Sequence, residues 1–227
     1  MPPDWLETLA WISLGLGVAS AMVIVVDIWV GGHRQPMGVM NWVWPITALY
    51  LGPFGLAFYW LVGRRSTARW IEAHGEQTFP HWVRVGVSST HCGAGCTLGD
   101  IIAETLVFWL ALSLFGASIW ASYGLDYTLA LAFGIAFQFA AISAMVRLPF
   151  RTTLVRAAKA DVWSLTAFEV GLFSWMALMF WVLFPDPHLQ PNTASYWFLM
   201  QVGMAIGLAT SYPMNALLIR KGIKEAM

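Results

Sequence analysis

The stretch His91-Cys92-Gly93-Ala94-Gly95-Cys96-Thr97-Leu98-Gly99-Asp100-Ile101-Ile102-Ala103-Glu104 holds both cysteines of the chain, one of its five histidines and two carboxylates, at the start of a long apolar run. Where a helix begins inside it decides how the chain is built. A start at Thr97 makes Thr97-x-x-Asp100 a capping-box-like N-terminus, with Asp in place of Glu or Gln, and leaves the cysteines in a loop at the positive helix end. A start near Ser88 to Thr90 instead places Cys92, Cys96, Asp100 and Glu104 at successive i, i+4 positions, a stripe down one helical face. Glycine costs a helix interior about 1 kcal/mol relative to alanine, so Gly93 and Gly95 favour the later start.

Outward from this stretch the chain is apolar. Its 227 residues are 59% hydrophobic and 11% charged, where soluble domains carry roughly 25% charged residues. Abundant tryptophan and phenylalanine, 14 of each, suit rings at headgroup level. A span needs about 20 mainly apolar residues, and six stretches qualify: 5–30, 41–63, 98–121, 127–146, 162–184 and 196–219. The expected fold is therefore all-α, one polytopic membrane helix bundle of about six transmembrane helices over residues 1–227. The N-terminal stretch lacks a basic leader region and a cleavage site, so it is expected to stay as a span. Pro45 and Pro53 in the second span and Pro213 in the sixth can each kink a helix.

Basic residues set the orientation. Arg64, Arg65, Arg69 and Arg84 fall between spans two and three, Arg147, Arg151, Arg156 and Lys159 between four and five, and Arg220, Lys221 and Lys224 after six; only Arg34 falls elsewhere. The positive-inside tendency makes that side cytoplasmic, with both termini inside a bacterial inner membrane and the motif at the cytoplasmic mouth of span three. Ala68 to His74 is expected as a short interfacial helix, and Leu148 to Ala160 as a segment along the membrane surface.

The chemistry of the stretch points to a transition metal. Thiolate and imidazole are soft and borderline ligands, so His91, Cys92 and Cys96 are candidate ligands, with Asp100, Glu104 and Glu169 as further ligands or proton-coupling carboxylates. Counted from Thr97 and Asp161, Glu104 and Glu169 lie at a matching depth of about 10 to 12 Å, and carboxylates at such depth usually face a bundle interior or a cavity. Met176, Met179, Met200 and Met204 in the outer halves of spans five and six suggest a soft-metal path, with Cu(I) as first cargo and Zn(II) as second; thioethers equally serve as flexible packing. Asp27, Asp126, Asp186 and His188 read most simply as solvated. A membrane thiol oxidoreductase and a non-catalytic scaffold are the alternatives. Twelve basic residues balance twelve acidic ones, which implies no nucleic-acid partner. The expected partners are the lipid bilayer and the metal ion, with a homo-oligomer left open. No phosphate loop, nucleotide fingerprint or hydrolase triad pattern is evident, so ATP-driven work by this chain alone is not expected, and a metal-binding or transport protein is favoured over an enzyme.

The pattern His-Cys-Gly-x-Gly-Cys-x-x-Gly-Asp at His91 to Asp100, together with Thr210-Ser211-Tyr212-Pro213-Met214-Asn215 running into Leu218 to Lys224, resembles a family of uncharacterised bacterial membrane proteins built on a domain of unknown function. The resemblance runs from about Ser89 to the C-terminus. It implies a shared multi-span fold and no particular activity.

Overall fold

The computed structural model describes residues 2–224, and every named element among them is a helix. In chain order these are α1 (Asp4–Trp29), α2 (Met40–Leu51), α3 (Pro53–Phe58, continued by a π-helical turn Tyr59–Gly63), α4 (Ala68–His74), α5 (His81–Trp109), α6 (Ser118–Met145), α7 (Phe150–Leu178, continued by a π-helical turn Met179–Leu183) and α8 (Ala194–Arg220). Among the described residues five helices, α1, α5, α6, α7 and α8, are long and apolar enough to cross a membrane. The chain is an all-α membrane bundle.

α5 is its centre. It starts at His81 behind Pro80, so the earlier of the two starts is the one realised, and the motif lies inside the bundle rather than at its mouth. From Val87 to Thr97 every residue of α5 is buried. The glycines that argue against a helix here are the places where other helices touch it. A Cβ built on Gly93 would lie 2.9 Å from Tyr50 Oη, one on Gly95 2.9 Å from Gly134 Cα, and one on Gly99 2.4 Å from Ala130 N. The Gly95-x-x-x-Gly99 face of α5 thus meets the Ala130-x-x-x-Gly134 face of α6 backbone to backbone, the small-residue contact by which membrane helices approach closely. α5 ends at Trp109, earlier than the apolar run suggests, because the chain turns back through Ala111 and Phe115 at positive φ of 49° and 51° and through Gly116 at 83°.

The second apolar stretch does not cross. Met40 lies with Val83 and Val87 around one pocket, while Tyr50 lies beside Gly93 and Thr97, so α2 runs alongside the first half of α5 and stops midway. Gly52, with φ 55° and ψ −132°, then reverses the chain, and α3 packs back on α2, with a Cβ on Gly55 falling 2.9 Å from Ala48 Cα. The return leg brings Gly63 against the Trp44 ring and Tyr59 Oη to Asp27 at 2.7 Å. α2 and α3 form a re-entrant hairpin with its tip at Gly52-Pro53.

Five crossings in place of six put the termini at opposite ends. Ser195, at the start of α8, donates to Glu7 of α1 at 2.5 Å, and Ser13 donates to Gln201 at 2.8 Å, so α1 and α8 run parallel. The end of α1 accordingly sits where α8 finishes, with Asp27 paired to Arg64 at 3.2 Å and to His33 at 3.1 Å; Asp27 is a structural anchor rather than a solvated loop group. Arg34 now joins the other basic residues, so all twelve Lys and Arg side chains belong to segments at one end, called here the basic end; the other is the far end. α4 has the expected bounds, with Thr67 as its cap. Residues 150–160 do not lie along the surface but form the first turns of α7, and α8 continues through Pro213.

Two outcomes check this architecture. In a background without Cys92 and Cys96, Arg34→Cys and Arg151→Cys should react with an impermeant maleimide from the same side of sealed vesicles, whereas a six-crossing chain would expose them on opposite sides. Gly99→Val should lower stability by about 3 kcal/mol, the upper end for overpacking, read as a fall in Tm in detergent, while Gly124→Ala, with nothing within 4 Å, should leave Tm unchanged or raised.

Candidate functional site

Polar side chains of α5, α6, α7 and α8 form a buried line from the basic end to the far end. At the basic end the tail after α8 folds inward, and Lys224 Nζ reaches Asp161 Oδ1 at 3.4 Å and Ser164 Oγ at 3.3 Å, with both charged side chains wholly buried. Ser164 Oγ stands 3.3 Å from Asp161 Oδ1 and 3.5 Å from Cys92 Sγ. The Asp161 carboxyl enters because Gly134 has no side chain, since a Cβ there would sit 2.3 Å from Asp161 Oδ2. His91, fully buried and edge-on to Phe137 with ring centroids 6.1 Å apart, lies in the electrostatic reach of Asp161 and Lys224.

One turn further along α5 the thiols of Cys92 and Cys96 adjoin each other, and Cys96 adjoins Glu169 of α7. Tyr50, at the tip of the re-entrant hairpin, closes this level from the other side in one packed cluster with both cysteines and Phe168. Asp100 follows, in reach of both Glu169 and Glu104. Glu104 Oε2 accepts a hydrogen bond from Tyr196 Oη at 2.5 Å, and Ser122 and Asp126 of α6 lie within reach of the same carboxyl. Both oxygens of Asp100 are buried without a hydrogen-bond partner among the described residues, Glu169 has the Cys96 thiol as its polar neighbour, and the carboxyls of Glu104 and Asp126 meet each other. A cavity of about 460 Å³ then opens at the far end, with Glu104, Ser122 and Tyr196 in its wall.

All six residues expected from the sequence, His91, Cys92, Cys96, Asp100, Glu104 and Glu169, are buried in the bundle. They are strung along it rather than gathered at one point. Glu169 stands level with Cys96 and Asp100 rather than with Glu104, because α5 and α7 start at His81 and Phe150 and not at the residues from which depth was counted. Among the described residues no three His, Cys, Asp or Glu side chains are arranged to hold a metal ion together, so no step is assigned to a resident metal. His74 and His81 are exposed and add no donor. The four methionines divide: Met176 and Met179 line the far-end cavity, while Met200 and Met204 line a separate apolar cavity of about 360 Å³ beside Thr97 and Tyr50.

Asp126 overturns its reading as a solvated group: it is fully buried because α6 begins at Ser118, nine residues before the span expected from hydropathy. The signal was there as spacing. Ser122, Asp126, Ala130, Gly134 and Gln138 recur every four residues, a small and polar stripe that faces the equivalent stripe on α5. Asp161, Ser164 and Lys224 carried no sequence signal beyond their presence near helix ends.

The fold and this interior define a helical membrane protein with carboxyls and thiols buried inside its bundle. Within that class the chain belongs to the family described as Domain of unknown function (DUF4396), whose model matches residues 81–224. The match runs from the first residue of α5 to Lys224 and therefore takes in the whole polar line; α1 and the re-entrant hairpin lie outside it. No match was found among curated proteins or among solved structures.

Breaking a buried ion pair on one side strands the other charge, at about 3 to 5 kcal/mol, whereas replacing both partners by neutral groups is close to neutral. Asp161→Asn and Lys224→Met should each lower stability by that order, and the double variant should recover most of it, in urea or thermal unfolding in detergent.

Proposed function

We propose that this protein is a cation-translocating membrane protein of the bacterial plasma membrane, with its basic end in the cytoplasm, and that protons are the ion its interior passes. The single observation that carries this reading is the line Lys224, Asp161, Ser164, Cys92, Cys96, Glu169, Asp100, Glu104, Asp126, which leads from one end of the bundle to a cavity at the other. Ionisable groups cost about 2.5 to 3.5 kcal/mol each at a bilayer centre on insertion scales and mark ion paths and proton relays. The re-entrant hairpin supports the same reading, since helices broken at mid-depth are tolerated where they are buried in protein or line a cavity, and in transporters they form the binding site.

Protons suit this interior better than a larger ion. Cys92, Cys96, Asp100 and Asp161 have 0% and Glu169 1% exposed surface, so the line is packed without a water-sized bore beside them, while a proton needs only acceptors and donors in sequence, and thiol, hydroxyl and carboxyl supply both. Cu(I) and Zn(II) stay as competing cargo rather than as resident ligands. A thiol oxidoreductase is less well supported, because both cysteines have no exposed surface through which a partner could reach them.

The test is flux. Protein reconstituted with an entrapped pH dye and driven by a valinomycin potassium gradient should take up protons, and Glu169→Gln and Glu104→Gln should each cut the rate roughly tenfold or more, within the range for removing one proton-transfer group. Parallel vesicles loaded with a chelating dye report Cu(I) and Zn(II). Metal entry without proton movement would replace the proton reading by the metal one, and no ion movement in either would remove both.

A further inference from the structure

The far-end cavity lies between the end of α5, the start of α6, the π-helical turn of α7 and the start of α8. Its volume of about 460 Å³ falls within the roughly 300 to 1,000 Å³ of small-molecule sites. Its wall is mostly apolar, including Val107, Phe108, Ile119, Met176, Met179 and Phe180. Its one carboxyl is Glu104, 97% buried by its 3% exposure, with Oε2 held by Tyr196 and Oε1 without a hydrogen-bond partner. Asp126 stands beside it, fully buried, its carboxyl meeting that of Glu104 with no basic side chain between them. No Lys or Arg lines the cavity, and all twelve belong to the opposite end of the bundle; the imidazole in the wall, His188, is held away from Glu104 by stacking on Phe180 with ring centroids 3.6 Å apart and by a bond from Nδ1 to Phe184 O at 2.9 Å.

An apolar chamber with an acidic floor and no lysine or arginine in its wall selects for a ligand of the opposite kind: one positive charge bearing N–H donors, attached to an apolar body. A bare metal ion does not fit, since among the described residues no third His, Cys, Asp or Glu donor joins Glu104 and Asp126 to hold one. The walls fit a cation with an apolar body, because Val107, Phe108, Ile119, Met176 and Met179 can bury its hydrocarbon part, while Ser122 and Tyr196 supply further oxygen acceptors beside Glu104.

We infer that the far-end cavity is a binding site for a small organic cation, a primary or secondary ammonium with an aromatic or aliphatic body, whose charged nitrogen hydrogen-bonds to Glu104. The inference deepens the translocation reading and rests on it in placing the ammonium at the far-end mouth of the proton line. Binding needs no gradient, so its failure and a failure of proton flux are separate results.

The experiment is calorimetric titration of the full-length protein in detergent with phenethylammonium chloride at neutral pH, corrected with empty micelles, beside phenethyl alcohol and 3-phenylpropionate as neutral and anionic analogues of the same body. Saturable binding is expected for the ammonium alone. Glu104→Gln should weaken it roughly tenfold or more, the weight of one charge-assisted hydrogen bond. Ser118→Trp, at an exposed rim position, should abolish binding by filling the chamber while leaving the core untouched, so that the site is tested even where Glu104→Gln does not fold. Equal binding of the alcohol, undiminished binding by Ser118→Trp or by folded Glu104→Gln, or no saturable binding of the ammonium would each overturn the assignment.

Discussion

The backbone contact between Gly95 and Gly99 of α5 and Gly134 and Ala130 of α6 is the constraint on which the rest of the structure depends. Lipid is as apolar as leucine, so nothing pushes two membrane helices together except packing and hydrogen bonds, and packing is strongest where backbones touch. That contact offsets the intrinsic cost of glycine in α5, which is why the motif continues as helix. It also sets the rotation of both helices. With Gly95 and Gly99 against α6, Cys96, Asp100 and Glu104 turn toward α7 and α8, and Gly134 leaves the space that the Asp161 carboxyl enters. Small residues thus fix where the polar ones meet.

The re-entrant hairpin is the second consequence of close packing. A chain reversal at mid-depth exposes backbone carbonyls that lipid cannot satisfy. Here Gln201 of α8 donates to Leu49 O at 2.6 Å while accepting from Ser13 of α1 at 2.8 Å, so one amide ties the tip to both flanking helices. Tyr50 is carried by the same turn to the cysteine level. The hairpin returns the chain to the side it left, and this is what gathers every basic residue at one end. The positive-inside tendency, which had one exception with six crossings, has none with five.

The helical membrane class was legible from composition alone, and the chemistry-bearing residues of α5 and α7 from their types. Both sets of misplaced boundaries have one cause. Hydropathy marks the part of a helix that faces lipid, and α5 and α6 face protein along much of their length, so Ser88, Thr90 and His91 on α5 or Ser122 and Asp126 on α6 look like loop when they are core. The reversal at Gly52-Pro53 was equally hidden, because an apolar stretch long enough to cross reads the same whether it crosses or folds back. What the sequence did hold, in the recurrence of small and polar residues every four positions on α5 and α6, was the face along which those helices meet.

The charges in the interior do not balance. Asp100, Glu104, Asp126, Asp161 and Glu169 are all buried, and among the described residues Lys224 is the one buried lysine or arginine, spent on Asp161. A salt bridge therefore closes the basic end, while four acidic groups between the cysteines and the far-end cavity have no basic side chain to answer them. Such groups are stable in a bilayer only if cations of another origin neutralise them, either protons shared along the line or a positive ligand entering from the cavity. A scaffold would have no need of them, since apolar residues of similar volume would pack as well at less cost. The excess of acid over base inside this bundle is thus the strongest physical support for the proposal that its interior handles cations.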